Sequence, residues 1–232
     1  MIIVDGRSII GWFLGGMVLL TAGCADLDIF PAWMPFQGPV SDTMPGVVPP
    51  GERIVKIQKL SAEAGSASPE QKRQVSQQLA QSIRDEKDPL IRMEILRALG
   101  HYPGPESDAV LKAAIADPDG QVRMAACDAF GKRHDAESVK LLSETLRSDV
   151  DADVRLTAAL ALGETKNPAA VPALGDALND ADPAMQYRAV LALKQVTGKD
   201  LGNDVRRWQQ YVKGEPIDPP PSMAEQWRHL FF

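Results

Sequence analysis

The chain has 232 residues, 44% of them hydrophobic but only 6% aromatic. Its 31 acidic and 25 basic residues leave a net charge of −6, which argues against a protein that holds nucleic acid, because phosphate binding needs a basic face. Two cysteines, Cys24 and Cys127, with no CxxC spacing argue equally against a disulfide framework and a structural zinc site.

Residues 1–24 begin with Arg7 and the free amine, offset by Asp5. An uncharged apolar run of 14 residues then reaches from Ile9 to Ala22. This is the layout of a signal peptide, and the run falls short of the roughly 20 residues that a membrane-spanning helix needs. Its ending, Leu20-Thr21-Ala22-Gly23-Cys24, resembles the lipobox of bacterial lipoproteins, although Thr21 stands where Leu is commonest. That resemblance implies cleavage before Cys24 and lipid attachment at Cys24. The expected address is therefore the bacterial cell envelope, lipid-anchored and facing the periplasm. The absence of Asp directly after the cysteine favours the outer membrane.

Residues 24–51 follow as a tether rich in proline (Pro31, Pro35, Pro39, Pro45, Pro49, Pro50) and glycine. Missing N–H donors and fixed φ angles oppose helix there and favour an extended spacer. Within it, residues 29–36 are unusually apolar. Docking on the folded part is the preferred reading, beside contact with a bilayer or a partner.

The repeat dominates the rest. Four segments begin at Asp88, Asp119, Asp151 and Asp182, in steps of 31, 32 and 31 residues. Each Asp precedes an apolar pattern at helical spacing and is placed to cap it. Arg92, Arg123 and Arg155 recur four residues on, where the fourth segment has Gln186. Gly100, Gly131 and Gly163 close three of the helices, which predicts left-handed caps. A second helix in each unit is marked by Leu111 and Ile115, Leu142 and Leu146, Leu174 and Leu178. Hairpins with two apolar stripes bury both only by stacking. The fold class predicted is therefore all-α, an α-solenoid of about four to five hairpins of 31–32 residues. A degenerate first unit is expected over 52–85. The solenoid spans 52–213, and 214–232 form a proline linker with a short amphipathic helix opened by Ser222 and Glu225 and bearing Trp227, Leu230, Phe231 and Phe232.

The pattern Asp-x-x-Val-Arg-x-x-Ala-Ala-x-Ala-Leu-Gly resembles HEAT repeats of the short, phycobilisome-lyase type. The resemblance implies that Asp88, Asp119, Asp151 and Asp182 cap helices while Arg92, Arg123 and Arg155 bond along the stack, a structural ladder rather than an active ridge. The acid pairs Asp117/Asp119, Asp149/Asp151 and Asp180/Asp182 are expected in turns, not as calcium ligands. Cys127 shares a column with Leu96, Ala159 and Val190 and is expected buried and inert. His101 and His134, each after a helix-ending Gly, are expected on one edge.

No GxSxG, no phosphate-binding glycine loop and no His-Glu pair of the kind found in the metal-binding HEAT-like hydroxylases occurs. The expectation is no catalytic residue, no metal and no cofactor. The repeats differ most on the outward positions of their second helices, so Lys112, Ala113, Ser143, Glu144, Arg147, Asp176 and Asn179 are the expected partner face, with Ala116 and Gly175 in the same columns. The function expected is a membrane-tethered protein-interaction scaffold of the cell envelope, not an enzyme, with a protein or peptide partner. The alternatives are a bilin lyase or chromophore chaperone and a purely structural envelope component.

Overall fold

Residues 48–219 are described by the computed structural model, and they form ten α-helices with no strand among them. The helices pair into five hairpins: α1 (Pro50–Glu63) with α2 (Pro69–Ser82), α3 (Pro89–Leu99) with α4 (Pro105–Ala114), and α5 (Gly120–Gly131) with α6 (Ala136–Ser148). Then come α7 (Ala152–Glu164) with α8 (Val171–Ala177), which a single 3₁₀ turn at Pro168–Ala170 precedes, and α9 (Pro183–Thr197) with α10 (Val205–Lys213). The result is the all-α solenoid that the repeat spacing predicts.

Each of the four recurrent aspartates starts a first helix. Asp88 accepts from the Leu90 N–H at 2.9 Å, Asp119 from Gln121 at 2.8 Å, Asp151 from Asp153 at 2.9 Å and Asp182 from Ala184 at 2.8 Å. Such caps contribute about 0.5–2 kcal/mol each. Pro50 and Gly51, expected in the tether, instead form the first turn of α1, where a proline N–H would have no helical partner to lose.

The first helices pack side by side from α1 through α3, α5 and α7 to α9, while the second helices meet one another sparsely. Small residues make the first layer close. A Cβ on Gly100 would lie 3.2 Å from Ala129, one on Gly131 3.0 Å from Ala161, and one on Gly163 2.8 Å from the Ala192 Cα. This corrects the expected left-handed caps. Gly100 is right-handed helical at φ −57°, Gly131 and Gly163 lie inside their helices, and among the described residues the left-handed glycines are Gly198, Gly202 and Gly214. The glycine column exists because two helix backbones approach there. Layers of unequal spacing bend the stack toward the closer one, so the first helices take the inner face.

Leu96, Cys127, Ala159 and Val190 are fully buried in that layer. Trp208 on α10 closes the far end. Its ring is fully buried, its Nε1–H donates to the Gly202 carbonyl at 2.9 Å, and Tyr211 meets it edge-on at 5.8 Å. Residues 1–47, with the expected signal peptide, Cys24 and the 29–36 segment, and residues 220–232, with the expected terminal helix, lie outside the described residues. No described helix is long and apolar enough to cross a membrane.

Candidate functional site

The ladder residues hold the repeats together. Arg92 reaches from α3 to Asp117 with two bonds of 2.9 and 3.0 Å, and Arg123 from α5 to Asp149 with two of 2.9 Å. Each also donates to a carbonyl of the preceding turn, Lys87 or Asp117. Asp117 and Asp149 in turn accept the N–H of Asp119 and Asp151, both at 2.9 Å. Sequence comparison overlooked the first member, in which Arg53 of α1 pairs with Glu86. Burial works to raise the Glu86 and Asp149 carboxyls. The facing guanidiniums, Arg53 and Arg123, and the N–H groups of Asp88 and Asp151 outweigh it and hold both below the usual carboxylate value. The ladder fades at Arg155, which donates to the Asp149 carbonyl at 2.9 Å but has no carboxylate within 4.0 Å among the described residues, and Gln186 makes the matching bond to the Asp180 carbonyl at 2.8 Å.

The residues expected to face a partner are not equivalent. Lys112, Ala113, Glu144, Arg147, Asp176 and Asn179 are exposed on the second helices. Three of them tie neighbouring repeats together, Lys112 to Glu137 at 2.6 Å and Arg147 with Asp176 at 3.7 Å. Ser143 is buried and donates to the Val139 carbonyl at 2.7 Å. Gly175 is buried too, and a Cβ there would strike Val212 of α10. With the second helices on the outer side of the stack, these residues do not line its inner wall.

The inner face carries a cluster that the sequence reading did not single out. A cleft of about 480 Å³ opens over α1, α3, α5 and α7, lined by Glu94, Arg97, His101, Asp128, Lys132 and Glu164. Lys132 donates to His101 Nε2 at 3.2 Å, since an ammonium can only donate. Burial, aided by Lys132, pushes the imidazole below its ordinary value, so the neutral ring is favoured. Burial pushes the Asp128 and Glu164 carboxyls up against the pull of Lys132, and the Asp128 charge adds to the rise at Glu164. Neither carboxylate has an ion pair within 4.0 Å among the described residues, whereas Glu94 pairs with Arg97 at 2.8 Å. A neutral imidazole beside two carboxyls of raised pKa is a set able to exchange protons or to receive a cation. Its sequence signal was available. Arg97 and Asp128 are 31 residues apart in one column, and His101, Lys132 and Glu164 follow the helix-closing glycines at steps of 31 and 32. His134 donates from Nδ1 to the Thr165 carbonyl at 2.7 Å and is a strut between repeats.

Cys127 lies behind this face. Burial, with the charges of Asp128 and Asp149 adding to it, pushes its thiol up to about 12, so it is neither nucleophile nor ligand at neutral pH.

A stack of Asp-capped, Arg-laddered helical hairpins is a HEAT-type array, and a family model for HEAT repeats matches residues 76–159 and 139–206. The chain belongs to the HEAT-repeat family, whose arrays serve protein–protein interaction in general. Among curated proteins it is similar to the deoxyhypusine hydroxylase of Kluyveromyces lactis, 28% identical over 153 residues that cover 63% of this chain and 47% of that one. Among solved structures it is similar to human deoxyhypusine hydroxylase in complex with glycerol, at a TM-score of 0.48 and 23% identity over 53% of this chain and 44% of the other. The chain thus spans about half the length of these relatives.

The curated relative corrects two expectations. It is an enzyme, so the reading of the chain as a membrane-tethered scaffold and not an enzyme does not stand. The physical reason is that repeat patterns record buried stripes and caps, which are common to catalytic and non-catalytic arrays alike. The metal of the HEAT-like hydroxylases is a separate matter. The sequence has no His-Glu pair, and no three His, Cys, Asp or Glu side chains converge among the described residues in a way that could hold an ion. These residues do not fit such a centre.

Proposed function

We propose that the protein acts on a polypeptide laid along the inner, first-helix face, with one basic side chain of that polypeptide received in the cleft between Asp128 and Glu164. The observation that carries this is the pair of carboxyls of raised pKa, with no ion pair within 4.0 Å among the described residues, in a cleft on the continuous face of the array. A cation between them would relieve the cost of their desolvated charge. HEAT repeats supply the support for a polypeptide, and the hydroxylase relative supplies the support for an enzyme. The groups at hand for proton transfer are the neutral imidazole of His101 and the Asp128 carboxyl.

Titration of the full chain with a fluorescein-labelled peptide of alternating Lys and Ala, beside one of alternating Glu and Ala, tests this. The lysine peptide is expected to bind saturably, more weakly as pH falls and the carboxyls protonate, and several-fold more weakly to a D128N/E164Q variant. Equal binding of both peptides, or indifference to that variant, would overturn the proposal. The lipidation of Cys24 is a separate proposal about address, read from incorporation of a labelled fatty acid that Cys24→Ser abolishes.

A further inference from the structure

The outer layer carries a second concavity, independent of the inner cleft. Between α2 and α4, which touch through Ser76 and Ser107, runs a groove of about 910 Å³, at the upper end of the roughly 300–1,000 Å³ of clefts that hold ligands. Its floor is apolar: Ala80, Ile83, Ala109, Val110, Ala113 and Pro118. All of it belongs to helices or their ends, so the backbone offers no open sheet edge with which an extended strand could pair. A strand laid there would bury unpaired N–H and C=O groups. A helix brings its own backbone bonds and presents only side chains, which is what a floor of methyl and methylene groups accepts.

The charges at the rim give the occupant a sign and a direction. Of the carboxylates there, Glu86 is taken by Arg53 and Asp117 by Arg92. Glu106, at the start of α4, accepts from Gln77 at 3.1 Å. Arg84 and Lys87, past the end of α2, are exposed and have no ion pair within 4.0 Å among the described residues. Asp85, between them in sequence, does not line the groove. One end of the apolar trough therefore carries two uncompensated cations beside the carbonyl ends of α2 and α4.

We infer that this groove docks an amphipathic helix of a partner protein whose first turn is acidic, running antiparallel to α2 and α4. Acidic residues favour the N-terminal turn of a helix, and that turn then meets Arg84 and Lys87 while its dipole opposes those of α2 and α4. The apolar face fills the floor from Ile83 toward Ala109.

The test uses the full chain and three fluorescein-labelled peptides of about 15 residues, long enough to fold as helices on binding. All share Leu at i, i+3, i+4 and i+7, and differ in carrying Glu in the first turn, Lys in the first turn, or Glu in the last turn. Fluorescence anisotropy should show saturable binding of the first peptide in preference to the others. An R84E/K87E variant, changed only at exposed positions, should bind it about tenfold more weakly and come to prefer the lysine peptide. Ala113→Trp, which fills the trough, should abolish binding while the helical circular dichroism is kept. Equal binding of all three peptides, or binding that survives both variants, would overturn the inference. So would a dimer in sedimentation that Ala113→Trp dissociates, because a second copy would then be the occupant. A D128N/E164Q variant should leave this binding intact, so failure here and failure of the inner-cleft proposal are read separately.

Discussion

The two helix layers of this array are built from the same repeats and do different things. In the first layer Gly100, Gly131 and Gly163 let helix backbones touch, and arginines clasp the carboxylate of the next turn, so the layer is continuous from α1 to α9. The second helices share fewer contacts, and a trough lined largely by small apolar side chains lies between α2 and α4. Close packing gives the inner face a fixed spacing on which separate repeats can place His101, Asp128, Lys132 and Glu164 around one cleft. Loose packing gives the outer face space instead of polar geometry. A solenoid thereby separates a polar, position-sensitive surface from an apolar, shape-tolerant one.

The widest expected contrast is chemical. Cys127, with its thiol pushed up to about 12 from a usual value near 9, carries roughly a thousandfold less thiolate than a free cysteine. A cysteine placed in the outer trough by Ala113→Cys should label with a thiol reagent at an ordinary rate, while Cys127 labels only on unfolding. Rapid native labelling of Cys127 would show that the first layer is not sealed.

Next in size is the clasp. Arg123→Ala strands Asp149 and should cost about 3 kcal/mol in urea denaturation. Arg155→Ala, which breaks no carboxylate pair, should cost about 1 kcal/mol. Equal losses would mean that the ladder does not join repeats.

A methyl group then compares the layers directly. Gly163→Ala drives a Cβ to within 2.8 Å of the Ala192 backbone and against Gln195, and should cost about 1–3 kcal/mol. Ala113→Val, in the trough, should change stability by less than about 0.5 kcal/mol.

The smallest effect concerns pH. Asp128 has a folded pKa above its unfolded value, so its favourable contribution is complete below the usual carboxylate value of 3.8 and is lost as pH rises through the folded value. Asp128→Asn should therefore raise the Tm slightly at neutral pH and not at pH 3. Asp149 has the opposite sign. Its contribution is present above 3.8 and is lost as pH falls through its lowered value, so acid should loosen the ladder while sparing the cleft.

Most of the fold could be read in the sequence because a repeat states its own period. The capping aspartates, the Arg column, the buried Leu pairs and the buried column of Cys127 recur at steps of 31 or 32 residues, and each pattern is imposed by a local physical need. One feature has a role other than the one its local pattern suggests. The glycines after Leu99, Phe130 and Leu162 were assigned to left-handed caps, although their role is contact between helices, which no single segment shows. The cleft was harder still. Its side chains come from four helices, and the raised and lowered pKa values arise from burial among them.

The most direct measurement is the titration of these groups by NMR, with and without the lysine peptide. His101 should titrate below an ordinary imidazole and the Asp128 and Glu164 carboxyls above ordinary carboxylates, and both carboxyls should fall when the peptide binds. Ordinary values at all three, or raised carboxyls that do not respond to the peptide, would contradict the account.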